Sequence, residues 1–262
     1  FRSVWRAKAT AEHQGQDGGV VTVLLGYMLS EGIIDGAVVA CQEESRPWMP
    51  RAAIVRSIEE LKACAGTVYC HAPVIGKMMD SYKQGMNALA VVGTSCDIDA
   101  IDKMKRHPAG YFNVDHRRSA FTIGLFCMES FEYPKMKGWL RERGIEIADV
   151  IRFAISGGEF RVTLPSGTRT WPIAELNEAA SSSCAYCHDL TGVNADISCG
   201  NIGSDEGYTT VIVRSIMGEQ VFQEALAKGL IEADMVDEKA LTKIQNVARS
   251  KRHRYYGLKS EH

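Results

Sequence analysis

The chain has 262 residues, a formal net charge of -2, 45% apolar residues and 24% charged residues, the balance of an ordinary globular protein with room for a sizeable core. A charge so close to zero supplies no basic field to hold a nucleic acid, and no apolar run reaches the ~18–20 residues that span a bilayer. The start Phe1-Arg2-Ser3-Val4-Trp5 lacks the apolar stretch of a signal peptide and does not begin with Met, so the chain is expected to be a trimmed piece of something longer.

In chain order, Gly15 to Gly19 lead into an apolar helix from Gly19 to Ser30, with Gly32 as its stop. Ile33 to Ala40 reads as a strand. Ser57-Ile58-Glu59-Glu60 is a capping box that opens a short helix ending at Gly66. A helix from Val74 to Gln84 stops at Gly85. Ala88 to Val92 is a buried strand, followed by a polar turn and a helix around Ile98 to Lys105. Ala120 to Phe126 is another buried strand, and Lys135 to Arg143 is helical. Val150–Ile155 and Glu159–Leu164, separated by Ser156-Gly157-Gly158, form a hairpin that Thr170 to Ile173 extends. Ala195–Ser198 and Thr209–Arg214 are strands flanking a glycine-rich loop. Gly218–Lys228 and the segment from Glu238 onward are helices. The pattern predicts one α/β domain over 1–262: a mixed, partly parallel sheet with flanking helices and an antiparallel β-hairpin insertion as a subdomain at about 148–180. The basic tail Arg249, Lys251, Arg252, His253, Arg254 reads as a solvated helix end.

Eight cysteines without secretory features point to metal ligands or redox groups before disulfides, and to a reducing, cytoplasmic setting. Cys184-Ala185-Tyr186-Cys187 is a C-x-x-C pair, by itself a zinc half-site, a thiol–disulfide pair or half of a cluster site. Cys96 lies just beyond one buried strand and Cys127 ends another. Ligands gather at the carboxyl ends of strands in open α/β sheets. If the two strands are neighbours, Cys96, Cys127, Cys184 and Cys187 share one site and suffice for a [4Fe-4S] cluster or a structural zinc. Cys41, Cys64, Cys70 and Cys199 read singly as buried structural cysteines.

Two glycine stretches add a second signal. Gln16-Asp17-Gly18-Gly19 opens a helix, where free N–H groups and the dipole suit a pyrophosphate. Glycine at 18 and 19 is expected to let the backbone approach that ligand closely. The stretch Gly200 to Gly207 joins two strands and is neither a Rossmann fingerprint nor a P-loop. Either stretch alone is equally a tight turn. Together with four thiols they favour a dinucleotide such as FAD beside a cluster.

Five stretches resemble the beta subunit family of coenzyme F420-reducing hydrogenase and its dehydrogenase relatives. They are Gln16 to Thr22, Gly66-Thr67-Val68-Tyr69, Gly124 to Phe131, Cys184 to Asp189, and Ala195 to Gly207. The resemblance implies FAD, a [4Fe-4S] cluster on Cys96, Cys127, Cys184 and Cys187, and coenzyme F420 as substrate. It implies cofactor contacts from Gln16, Asp17, Gly18, Gly19, Thr22, Gly66, Tyr69, Met128, Glu129, Asp196, Ser198, Gly200, Gly203, Ser204 and Gly207. It also implies a hetero-oligomer with hydrogenase, formate dehydrogenase or heterodisulfide-reductase-type electron-transfer subunits. Three departures stand out. Val68 replaces the family's lysine, Ser95-Cys96-Asp97 replaces Pro-Cys-Gln, and Cys199 stands where relatives carry a small residue. Lys77, Lys83 or Arg252 could replace the lost cation, although each reads individually as a surface residue. The competing readings are a zinc-binding scaffold without flavin and a related flavin/iron–sulfur reductase acting on a different substrate.

Overall fold

The computed structural model describes residues 1–11, 16–106 and 120–256. Gly15, read as part of the turn before the first helix, lies outside them. In chain order the elements are β1 (Ser3–Ala9), α1 (Val20–Ser30), β2 (Gly36–Glu43), β3 (Arg46–Val55), α2 (Ile58–Ala63), α3 (Val74–Lys83), β4 (Leu89–Thr94) and α4 (Ser95–Arg106). They continue with β5 (Phe121–Leu125), α5 (Tyr133–Glu142), β6 (Arg152–Ser156), β7 (Glu159–Leu164), β8 (Gly167–Pro172), β9 (Ile197–Gly200), β10 (Thr209–Val213), α6 (Ile216–Ala227), β11 (Ile231–Met235) and α7 (Glu238–Tyr255).

Eight strands form one sheet in the order β11-β1-β10-β9-β5-β4-β2-β3. The centre, β9-β5-β4-β2, is parallel, and the flanks are antiparallel. The parallel strands read as continuous apolar runs because both faces are covered: Ala90, Val91 and Ile123 are fully buried. Strand β1 carries Arg6 and Lys8 between its buried Val4, Ala7 and Ala9, which hid it in a composition reading. Strand β3 contains Pro47 and Pro50 and is an edge strand, the place a sheet tolerates proline. The capping box at Ser57 forms in part. The Ser57 hydroxyl accepts from Glu60 N at 3.2 Å, but the Glu60 carboxylate accepts from Arg56 N, one residue before the cap.

The predicted hairpin is the three-stranded antiparallel sheet β6-β7-β8, with its own aromatic core. Phe160 stacks on Phe153 at 5.4 Å and meets the edge of Trp139 at 5.8 Å. Trp48 leaves the large sheet to join this core. It contacts Phe153 edge-on at 4.5 Å, and its Nε1 donates to Val150 O at 3.1 Å. Its left-handed backbone (φ 63°) costs a non-glycine residue about 1–2 kcal/mol. Burying an indole offsets that cost.

Two cysteine readings are corrected here. Cys41 and Cys64 are not separate buried thiols: they form a disulfide that ties β2 to the end of α2. Proximity of a strand to the helix that returns over it brings them together, across 23 residues of sequence that carry no pairing signal. Cys70 and Cys199 are buried free thiols, as read.

Candidate functional site

Strands β4 and β5 are adjacent and parallel, with Gly93 opposite Gly124 and Thr94 opposite Leu125. This register carries Cys96 and Cys127 to the same carboxyl edge. Helix α4 begins directly on β4, earlier than the sequence suggested, because Asp97 caps the junction. Its carboxylate accepts from Thr94 N at 2.9 Å and from Thr94 Oγ1 at 2.8 Å. Cys96 Sγ lies 3.2 Å from Thr94 Oγ1. The C-x-x-C pair arrives on a short 3-10 turn, Ser182–Tyr186. Cys184 Sγ accepts from Ser130 N at 3.3 Å, and Cys187 Sγ lies 3.6 Å from Asp189 O. The Asp189 carboxylate then pins the following loop, accepting from Thr191, Gly192 and Val193 N at 2.8–3.0 Å.

Cys184 and Cys187 act electrostatically on both Cys96 and Cys127. Burial pushes the Cys96 thiol up, and Cys187 and Cys184 add as like charges. Burial pushes the Cys127 thiol up to about 12, with Lys251 opposing and Cys184, Cys96 and Cys187 adding. His71 also stands here: its Nε2 is 3.7 Å from Asp97 Oδ1, and burial raises the Asp97 carboxyl while His71 opposes. His71, Cys96 and Asp97 hold ligand atoms within 4.8 Å of one another.

The tail reading needs correction at one residue. Lys251 is not at a solvated helix end but is 1% exposed. Its ammonium donates to Cys127 O at 2.5 Å and Asp189 O at 2.8 Å. The alternation of basic residues hid this, because helix α7 turns a single face, Ile244 and Lys251, inward. Arg254 donates to Met128 O and Glu129 Oε2, both at 2.9 Å.

The glycine loops converge on a second place beside the small sheet. Gln16 Nε2 donates to the Tyr69 hydroxyl at 3.0 Å, as does Ile155 N at 3.1 Å. Asn201 Nδ2 donates to Ile155 O at 3.1 Å. Burial raises the Asp17 carboxyl, Arg152 opposes and Glu206 adds. Residues from the α1 turn, the 66–69 stretch, β6 and the 200–207 loop thus meet. Arg152 was missed because one arginine in a strand has no motif around it. Helix α1 is preceded by Gly19 as its N-cap, whose left-handed backbone (φ 67°) carries no side chain to cap the helix's first N–H groups.

Several of the other predicted residues are bonded or packed within the chain. A Cβ at Gly18 would meet Ala7 O at 2.5 Å, so glycine there serves packing on β1. A Cβ at Gly200 would lie 2.2 Å from the Phe126 ring. Asp196 accepts from Thr122 N at 2.8 Å and Ser215 Oγ at 2.6 Å. Ser198 is buried, donates to Gly192 O at 3.1 Å, and accepts from Arg214 Nε at 2.7 Å. Ser204 bonds Thr210. Thr22 is half-buried on α1. Gly66, Gly203 and Gly207 all take left-handed φ, and among the described residues nothing lies within 4 Å of a Cβ built at Gly66 or Gly207. Lys83 is exposed and lies 3.6 Å from Asp80, and Arg252 is exposed. A cavity of about 510 Å³ near Arg46, Met49, Tyr133 and Ile147 is lined by none of these site residues.

The raised Asp17 carboxyl means that the folded chain binds this proton more tightly than the unfolded chain. Its contribution to stability is full below the ordinary carboxylate pKa and is lost as pH rises through the raised value. Asn keeps the left-handed backbone that Asp17 adopts (φ 54°) and carries no charge. Asp17→Asn is therefore expected to raise the melting temperature of the cofactor-free chain at about pH 7, and to lose that advantage near pH 3. Thermal unfolding at both pH values checks this, and a lower melting temperature at neutral pH would contradict it.

Comparison with known proteins places this geometry. The family model for the N-terminal part of the coenzyme F420 hydrogenase/dehydrogenase beta subunit matches residues 4–77, and the C-terminal model matches residues 86–239. The coenzyme F420 hydrogenase subunit beta of Methanothermobacter thermautotrophicus is 34% identical over 244 residues, covering 91% of this chain and 86% of that protein. Its counterpart from Methanosarcina barkeri is 32% identical over 228 residues, covering 86% and 78%. A chain of the F420-reducing [NiFe] hydrogenase complex from Methanosarcina barkeri superposes with a TM-score of 0.92 at 28% identity, covering 98% of this chain and 90% of that one. The chain belongs to the coenzyme F420 hydrogenase/dehydrogenase beta subunit family, a family of F420-dependent oxidoreductases.

Proposed function

We propose that this chain carries FAD and one [4Fe-4S] cluster and passes a hydride between coenzyme F420 and the flavin. Single electrons then move to or from a partner subunit in the cytoplasm, of hydrogenase, formate dehydrogenase or heterodisulfide-reductase type. When bound, the flavin joins two-electron hydride chemistry to one-electron transfer, and the cluster carries the single electrons. One observation carries the reading: Cys96 and Cys127, pushed up by burial with Cys184 and Cys187 adding, share a site with a buried ammonium whose hydrogen-bond partners are two carbonyls, one of them that of Cys127. Cys96, Cys127, Cys184 and Cys187 would hold the cluster, and its negative charge would match Lys251. The uncapped start of α1 suits the flavin's pyrophosphate. The open sides of Gly66 and Gly207 leave room for a ligand near Tyr69 and Asn201. Arg152 offers a positive group beside Asp17 and Tyr69, where Val68 gives none.

The zinc-scaffold reading is less well supported. A tetrahedral zinc brings its four sulfurs to about 3.8 Å from one another. Among the described residues, the set that closes within 4.8 Å is His71, Cys96 and Asp97 rather than the four thiols. Iron, sulfide and zinc analysis separates the two, and a colourless zinc protein would overturn the cluster.

For the substrate, reduced F420 is expected to bleach the bound flavin within turnover time, and its binding to weaken as salt screens exposed Arg152. NADH should not reduce the flavin. Rapid reduction by NADH and none by F420 would overturn the substrate and favour a related reductase.

A further inference from the structure

Resting on the cluster reading above, we infer that Lys251 is a positioning and potential-setting residue: it ties the two chain segments that carry Cys127 and Cys187, and its buried positive charge favours the reduced state of the group those thiols hold. Lys251 comes from the last helix, far in sequence from either cysteine. Its ammonium joins the segment after β5 to the loop after the C-x-x-C pair, which also meet through Cys127 N and Leu190 O at 2.8 Å. It donates to the carbonyl of Cys127 itself and to that of Asp189, two residues past Cys187. The next turn of α7 repeats the clamp. Arg254 donates to Met128 O and Glu129, and Tyr255 lies against the His188 ring with centroids 5.1 Å apart.

Burying an ammonium is costly unless a counter-charge or hydrogen bonds compensate. The two carbonyls supply hydrogen bonds but no net charge. Among the described residues, no carboxylate comes within ion-pair distance of Lys251. A lysine held so deep by neutral acceptors calls for an anionic neighbour, and Cys127 is the neighbour it acts on. One-electron reduction adds a negative charge at such a site, and a fixed positive charge in a poorly solvated place stabilises it. Removing the charge should therefore make reduction harder. Removing the hydrogen bonds should loosen Cys127 against Cys187.

The test compares full chains carrying Lys251→Gln, Lys251→Met and Lys251→Arg with the parent. Readouts are iron and sulfide per chain, circular dichroism, and an EPR-monitored reductive titration. Lys251→Gln keeps a donor and should hold a cluster whose reduced-to-oxidised ratio at a fixed potential falls about tenfold, a shift of about 59 mV for a one-electron couple. Lys251→Met should also lose part of its iron. Lys251→Arg should stay close to the parental potential. A Lys251→Gln cluster at the parental potential overturns the inference. So does a folded Lys251→Arg chain that holds no cluster or shows the lowered potential. If the parent itself assembles no cluster, the cluster reading falls and takes this inference with it. A parent with full iron and indifferent variants removes the inference alone.

Discussion

Cys127→Ala is expected to leave a folded chain with most of its iron gone. The residue contributes one of four thiols at the carboxyl edge of β4 and β5, and a [4Fe-4S] cluster has no spare protein ligand. The fold should survive because the segment around residue 127 is held by main-chain bonds: Cys127 N donates to Leu190 O and Phe126 N to Cys199 O, both at 2.8 Å. Iron and acid-labile sulfide assays after anaerobic reconstitution give the result. Cys70→Ala provides the control, since Cys70 lies in the aromatic core of the small sheet. Full iron in Cys127→Ala, or equal loss in both variants, would sink the ligand assignment.

Phe160→Ala should cost about 3–5 kcal/mol, a large part of the total stability of a typical domain. Phe160 is wholly buried, and its ring contacts those of Phe153, Trp139 and Phe131. Its ring neighbours Phe153 and Trp139 are held by ring contacts of their own, to Trp48 and Trp171, which limits collapse into the space it leaves. The damage should reach the proposed flavin site. β6 runs from this core to Ile155, whose N–H and carbonyl bond Tyr69 and Asn201. Denaturant unfolding should show the lost stability, and the purified variant should retain less flavin than the parent. A shift below about 1 kcal/mol with full flavin would show that the small sheet is not coupled to the site in this way.

Both predictions depend on contacts that the sequence reveals to different degrees. The buried strands β4, β5 and β10 and the helices α1, α3 and α6 announce themselves through apolar periodicity, glycine stops and capping residues. The four thiols were grouped in the sequence because two of them follow strand ends and two share a C-x-x-C pair. Their meeting depended on β4 and β5 being neighbours, which no local signal states. Lys251 and Arg152 were illegible for a related reason. Each is an ordinary basic residue until tertiary packing brings it beside a thiol or a carboxylate. Strands β1 and β11 were missed because edge and near-edge strands alternate with charged residues. At Gly18, read as letting the backbone approach a ligand, the chain itself fills the space a Cβ would take, as it does at Gly200.

The place of β1 has a consequence for how the protein is made. Ser3 pairs with Val213, and Trp5 pairs with Met235, so the first strand sits between two of the last. On a ribosome adding about 5–20 residues each second, β1 emerges roughly ten to forty seconds before β10 can receive it. Through that interval both its edges are open, and its best protection is the Arg6 and Lys8 that alternate with its apolar residues. Closure of so distant a pairing comes late and slowly. Conditions that prolong synthesis or expose the nascent chain should therefore lower the yield of folded protein before they affect the finished molecule.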